Sequence, residues 1–321
     1  VKPLVICLGL GTSQGDHSGD SPLDSMLSVT DQFRGFIGVA AAGNEAGKGH
    51  HYYGTALNSS DYNSVEILVP ENTKGFCAEL WGQPPEIYAV GFESPLGEVI
   101  PKISPRLSYS ENISFILEKT RIFVSSEIIQ TVSGSQLIFI RFSDPTPGSW
   151  KIRVYTNSYN SGSYHVWLPI TGFSDPDIKF LEPNPETTLT SPGTSSSVIT
   201  TAAYNAYTNS LYLNSSRGYT RTGQIKPDIT APGVNVFAPG SRGRYTTVTG
   251  TSAAAAITAG ACALVMEWGM KRTPSRIFNN AELKSLLIRG AGRREDLLYP
   301  NREWGYGTLD VYQVFSSLSS P

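Results

Sequence analysis

The sequence predicts an α/β fold, a three-layer domain on a parallel sheet that is interrupted by an all-β jelly-roll or sandwich insertion. Three observations predict it. Apolar runs near both ends of the chain alternate with helix-period patterns, which is the rhythm of a parallel sheet covered by helices. The stretch from 65 to 169 carries only short strand-like runs separated by turn residues. A Pro/Thr/Ser-rich linker from Glu182 to Gly193 then separates that stretch from a return of the α/β pattern.

The elements follow in order. Leu4–Leu8 is a short apolar run ending in Gly9-Leu10-Gly11, as expected of a buried parallel strand followed by a tight loop. Leu23, Met26, Leu27 and Phe33 recur at helical spacing over 22–34, with Asp20 or Ser21 as N-cap and Pro22 at the first helical position. Phe36–Ala42 is a second apolar run, ending in Gly43-Asn44. Strand, helix and strand in this order form a βαβ unit. Strand-like runs then include 65–69, 76–81, 87–92, 113–117, 121–129, 137–142, 150–155 and 164–168. Ser197–Ala203 reads as a strand, 252–270 as a small-residue helix, and 281–289 and 308–318 as further helices. The expected boundaries are 1–62 for the first piece of the α/β domain, 63–172 for the insertion, and 173–321 for the linker and second piece.

Composition narrows the function. A hydrophobic fraction of 40% and a charged fraction of 16% describe a globular chain with ample core. A formal net charge of -2 gives no reason to expect nucleic acid or an anionic membrane surface as partner. No apolar run reaches membrane-spanning length, so no membrane partner is expected. Cys7, Cys77 and Cys262 are an odd, scattered set without metal-ligand spacing and are expected to be packing residues. The chain opens on Val1 close to a strand, and is expected to be part of something longer.

The strongest chemical signal is Gly250-Thr251-Ser252 ahead of Ala253–Ala256 and the long helix. A serine at a helix start, flanked by tiny side chains, can face a substrate while its N–H and the helix dipole favour a developing anion. By itself the motif is equally a plain N-cap before an alanine-rich helix. Asn44 by itself reads as a turn residue. His17 lies in the polar loop Gly15–Gly19, and His50 and His51 follow Asn44; His17 or His51 could be proposed as a general base, but a solvated or substrate-rim histidine is the better reading of either. Asp16 and His17 are too few for a metal site.

The segment Lys226-Pro227-Asp228-Ile229-Thr230-Ala231-Pro232-Gly233-Val234, followed by Gly250-Thr251-Ser252-Ala253-Ala254-Ala255-Ala256, resembles the subtilisin-like serine proteases in motif order and spacing. Ala40–Asn44 is similar to the strand end carrying that family's oxyanion asparagine, and Gly9-Leu10-Gly11 to its substrate-binding loop. The resemblance covers 1–62 and 190–321 and implies a subtilisin-like fold. It implies that Ser252 is the nucleophile of an acyl-enzyme mechanism, that Asn44 donates to the oxyanion, and that Leu10, Gly11, Ala41, Ala42 and Gly43 bind substrate. Such a pocket favours an uncharged, medium-sized residue before the cleaved bond. Two departures stand out. Ala256 replaces a proline, which the first helical turn tolerates. No Asp-x-Gly or His-Gly-Thr segment precedes Ser252, although the family order is Asp, His, Ser.

The resemblance therefore implies a serine endopeptidase whose Asp and His come from an N-terminal fragment of the same protease, acting on a protein or peptide substrate. The alternative is an inactive pseudoprotease serving as a regulatory scaffold. No cofactor is expected, and no acidic loop has the spacing of a structural calcium site. Pro147–Val154, Tyr164–Pro169, Ala46–Gly54 and Trp304–Gly307 resemble the clostridial germination-protease subgroup with its inserted β-domain. That likeness implies an extracellular, cell-surface or spore-associated protein of an anaerobic bacterium. Trp81, Trp150 and Trp167 are expected to pack the insertion's core rather than stack on sugar.

Overall fold

The computed structural model describes residues 2–55, 62–129, 134–156, 162–173, 177–272 and 277–319. The chain divides into two units. One comprises residues 1–12, 17–47 and 186–321, and the other residues 13–16 and 48–185.

The first unit begins with β1 (Leu4–Leu8), α1 (Pro22–Thr30) and β2 (Phe36–Ala41). Ser21 caps α1 in a reciprocal capping box with Asp24, and Pro22 occupies the first turn, where its missing N–H costs nothing. The second unit contributes β3 (His51–Thr55), β4 (Tyr62–Val69), β5 (Gly75–Gly82), β6 (Tyr88–Glu93), β7 (Val99–Ile103), β8 (Ser108–Ser114), β9 (Arg121–Glu127), β10 (Gln136–Ser143), β11 (Gly148–Thr156), β12 (Ser163–Trp167) and β13 (Lys179–Phe180). The chain then returns to the first unit with β14 (Ile199–Asn205), β15 (Ser210–Leu211), β16 (Ile229–Pro232), β17 (Val236–Pro239), β18 (Tyr245–Val248), α2 (Thr251–Arg272), α3 (Asn280–Arg289) and α4 (Val311–Ser319).

In the first unit β1, β2, β14 and β15 lie side by side, and β16 also pairs with β14. The β1–β2, β2–β14 and β14–β16 pairs are parallel. Helix α2 packs on β1, β2, β14 and β16. Its buried Cys262, Val265 and Met266 join Ile37, Val39 and Ile199 of the sheet in one core, with Leu283, Leu287 and Val314 from α3 and α4. By length and composition 251–271 is apolar enough to cross a membrane, contrary to expectation. Its apolar residues are used instead to bury one face against the sheet.

The second unit holds two antiparallel sheets, ordered β3-β12-β5-β10-β9-β8 and β13-β4-β11-β6-β7. Alternating side chains of both contribute to one core that includes Ile67, Leu80, Phe92, Ile140 and the fully buried Trp150. Trp81 and Trp167 are buried as well.

The division falls at 47/48 and 185/186 rather than at the expected 62/63 and 172/173, because β3 pairs with β12 and β13 pairs with β4. Several strands escape the sequence pattern: in the second unit β3, whose His-Tyr-Tyr-Gly-Thr lacks an aliphatic run, β7, which contains Pro101, and the two-residue β13, and in the first unit the short β15, β16, β17 and β18. The expected strand at 113–117 lies instead at Ser108–Ser114. Cys262 is buried, but Cys7 is exposed on β1 and is not a core residue.

Candidate active site

The parallel register brings the chemistry to one end of the sheet. Leu8 aligns with Ala40, and Thr201 aligns with both Ala41 and Ile229. The carboxyl ends of β1, β2 and β16 therefore release Gly9-Leu10-Gly11, Gly43-Asn44 and Gly233 on the same side, where ligands bind in open α/β sheets. Gly233 donates to the Tyr204 carbonyl at 2.9 Å and accepts from Gly250 N–H at 2.8 Å, which leads the chain into α2 at this end.

Ser252 sits in the first turn of α2, half-buried, and its hydroxyl donates to the Gly9 carbonyl at 2.7 Å. Its own N–H belongs to the first-turn donors that lack an intrahelical acceptor. Asn44 is fixed beside it. The Asn44 Oδ1 accepts from the Thr251 N–H at 2.9 Å and from the Thr251 hydroxyl at 3.2 Å. The backbone N–H, which can only donate, specifies which end of the amide is oxygen, so Nδ2 is left to donate. The fully buried Thr251 hydroxyl also accepts from Gly43 N–H at 3.1 Å, tying the end of β2 to the start of α2. At Gly250 (φ +144°) a Cβ would come within 3.3 Å of the Asn44 amide, so this position requires glycine for conformation and space together.

The expected pocket residues divide. Leu10 is exposed and Gly11 half-buried, whereas Gly43 is buried and the Ala41 and Ala42 side chains lie in core clusters. The two alanines can meet a substrate only through their backbone. A residue the motifs did not reveal stands between these strands. Thr190 donates its N–H to the Ala42 carbonyl at 2.9 Å, and its side chain lies 2.4 Å and 2.8 Å from where a Cβ on Gly11 or Gly43 would stand. Thr251 was also missed as an orienting residue. Its place in a Gly-Thr-Ser motif is visible in sequence, but its reach to Asn44 is not.

The Lys-Pro-Asp motif has its own geometry. The buried Lys226 ammonium donates to Asp228 at 2.6 Å, to the Val198 carbonyl at 2.8 Å and to the Thr200 hydroxyl at 2.9 Å. Asp228 in turn accepts from Thr200 N–H at 2.7 Å, and Lys284 approaches it at 3.7 Å. Burial presses Lys226 down to about 7 against the pull of the Asp228 charge. On Asp228, burial pushes upward, but the charges of Lys226 and Lys284 outweigh it and hold the carboxyl below its ordinary 3.8. A carboxyl lowered on folding contributes stability above its ordinary value, and that contribution is lost as pH falls through the lowered one. Lys226 acts on the other side. The unfolded chain binds more protons between 7 and 10.5, so stability rises with pH across that window. Lys226→Met leaves Asp228 buried beside Lys284 alone and is expected to cost about 3–5 kcal/mol. It should also remove the alkaline rise, which denaturant midpoints at about pH 7 and about pH 9 check.

The histidines differ from expectation. His17 is buried, with Nδ1 2.7 Å from the Leu189 carbonyl. His50 and His51 are buried rather than solvated, and His51 Nε2 lies 2.8 Å from His165 Nδ1 in the second unit. Among the described residues no histidine is hydrogen-bonded to Ser252, and no group of three His, Cys, Asp or Glu side chains is placed to hold a metal.

A helix-start serine and a clamped asparagine thus stand together at the carboxyl end of a parallel sheet. The profile of the Subtilase family (Peptidase_S8) matches residues 133–307, more than half of the chain, and the chain belongs to that family. It is 35% identical over 129 residues to the serine protease AprX of Bacillus subtilis, covering 34% of this chain and 28% of that protein. It is 35% identical over 112 residues to the membrane-bound transcription factor site-1 protease of Mus musculus, covering 33% and 10%. The structure of the Clostridium perfringens CspB protease superposes with a TM-score of 0.88 at 29% identity, over 100% of this chain and 68% of that chain. The chain thus spans less than a third of the length of the curated relatives it matches.

Proposed function

We propose that this chain carries the nucleophile and oxyanion hole of a serine endopeptidase whose general base and its Asp partner come from a preceding segment outside this sequence. The observation that carries the reading is the Thr251 clamp, which holds Asn44 Oδ1 at the residue next to Ser252 and leaves the amide nitrogen to donate. The Ser252 oxygen attacks the scissile carbonyl as a histidine from that segment takes the hydroxyl proton. The carbonyl electron pair moves to oxygen, where Asn44 Nδ2 and the Ser252 N–H receive it. The same histidine gives the proton to the leaving amine, and water then releases the acyl group by the reverse path. No cofactor enters these steps.

The first unit offers a place for such a segment. β1 is the last strand of its sheet, with Leu4 and Cys7 exposed, and the outer face of α2 exposes Ala256, Gly260 and Leu264. An apolar strand edge and helix face of this kind need a covering partner. The β4–β11 and β5–β10 pairs, nested between strands far apart in the chain, support a jelly-roll reading of the second unit.

Because Thr190 occupies the space between Gly11 and Gly43, the residue before the cleaved bond is proposed to be small and uncharged. Thr190→Gly is expected to shift kcat/KM toward larger apolar residues by about tenfold or more, read from a matched peptide series. The direct test of the nucleophile is mass-spectrometric mapping of the intact protein after reaction with a fluorophosphonate. The adduct belongs on Ser252; an adduct on another serine, or none on active protein, refutes the assignment.

A further inference from the structure

The two sheets of the second unit end side by side in strands that are consecutive in the chain. β7 closes one sheet and β8 closes the other. Between them lies a groove of about 590 Å³. Consecutive residues of each strand line it, 100–103 of β7 and 111–114 of β8. A strand presents consecutive residues only along its edge, since its faces show alternate ones. The groove is therefore walled by backbone hydrogen-bonding edges.

The two edges are not equivalent. β7 is five residues long, contains Pro101, and pairs with β6 through a register irregularity. Those are devices that block strand addition. β8 has seven residues and no proline, and it pairs with β9 in unbroken register from Ser108 to Ser114. All of its side chains are exposed except Tyr109 and Ile113, which are half-buried and buried. Its outer edge is an open template.

The charge along the groove has a sign. Lys102 and Arg106 line it, Lys102 over the Tyr155 ring at 5.6 Å and Arg106 over the Tyr109 ring at 4.8 Å. Arg106 has no carboxylate partner among the described residues. Glu111, the one acid in the lining, already accepts the Tyr109 hydroxyl at 2.7 Å. With Arg106 covering the Tyr109 face, that ring is not an open platform for a sugar.

We infer that the β7–β8 groove is a docking site for an extended, acidic segment of a partner protein, which adds to β8 as a further antiparallel or parallel strand. Main-chain bonds to β8 supply affinity, and Lys102 and Arg106 select carboxylate side chains. The site is independent of the peptidase reading of the first unit.

The test uses the intact protein carrying Ser252→Ala, so that no probe is cut, and a fluorescein-labelled octapeptide of alternating Thr, Val and Glu. Fluorescence anisotropy should show the Glu peptide binding about tenfold tighter than its Lys counterpart at low salt. The double variant K102E/R106E should invert that preference, and bound peptide should slow amide exchange across 108–114. Equal affinity for both peptides, protection elsewhere than β8, or no binding up to about 1 mM would overturn the inference. So would tight binding of an uncharged oligosaccharide such as cellohexaose that excludes the peptide.

Discussion

Replacing Ser252 by alanine in the intact protein is expected to lower kcat for peptide hydrolysis by about a millionfold, the size of the effect when the nucleophile of subtilisin is removed. The geometry explains why no neighbour can substitute. Thr251, the adjacent hydroxyl, is fully buried and committed to Gly43 and Asn44. The Ser252 hydroxyl, in contrast, has a single acceptor, the Gly9 carbonyl, and is only half-buried. Loss of one oxygen at this position should leave the fold intact, since the helix start is held by Gly250, Gly233 and Thr251 rather than by the Ser252 side chain. Unchanged thermal unfolding together with lost turnover separates the chemical role from a structural one. Turnover in Ser252→Ala within about tenfold of wild type would move the nucleophile elsewhere.

The second large effect falls on Asn44. Asn44→Ala removes one preorganised donor from the oxyanion site, a change that costs subtilisin about a hundredfold to a thousandfold in kcat. KM should scarcely move, because the amide meets charge that develops only in the transition state. The same substitution strands the Thr251 hydroxyl, which donates to Asn44 Oδ1 at 3.2 Å. Asn44→Asp is the sharper variant. It keeps both bonds to Thr251, replaces the outward N–H by a charged oxygen, and is expected to lower kcat at least as far. A rise in KM with kcat unchanged would make Asn44 a ground-state substrate contact instead.

The parts of the fold that were legible in sequence are those where one physical signal acts alone. Leu4–Leu8 is bounded by a glycine loop, and the Ala-rich segment from Ser252 runs to Arg272 without a proline, so β1 and α2 fall where the pattern places them. β7 and β3 were not legible because tertiary pairing holds a proline-containing strand and a His-Tyr-Tyr-Gly-Thr strand that local propensity does not favour. At the candidate site, the motifs point to Ser252 and Asn44, and the folded chain joins the two through Thr251. Thr190 was not, since its neighbours Gly11 and Gly43 lie 179 and 147 positions away in the chain, and only the folded sheet brings the three together. Burial of His17 and His51 was equally out of reach, because a histidine in a polar stretch gives no sign of the carbonyls at Leu189 and Asn184 that receive it.

On the proposed reading, this chain holds a nucleophile and an oxyanion site but receives its general base from outside. Fluorophosphonate labelling rates of the intact protein and of the 321-residue chain, each with its Ser252→Ala control, test that claim most directly. Fast labelling is expected of the intact protein, and labelling slower by at least about a thousandfold of the folded chain, where the serine lacks its base. Equal rates in both would contradict it, because the base would then have to lie within these residues.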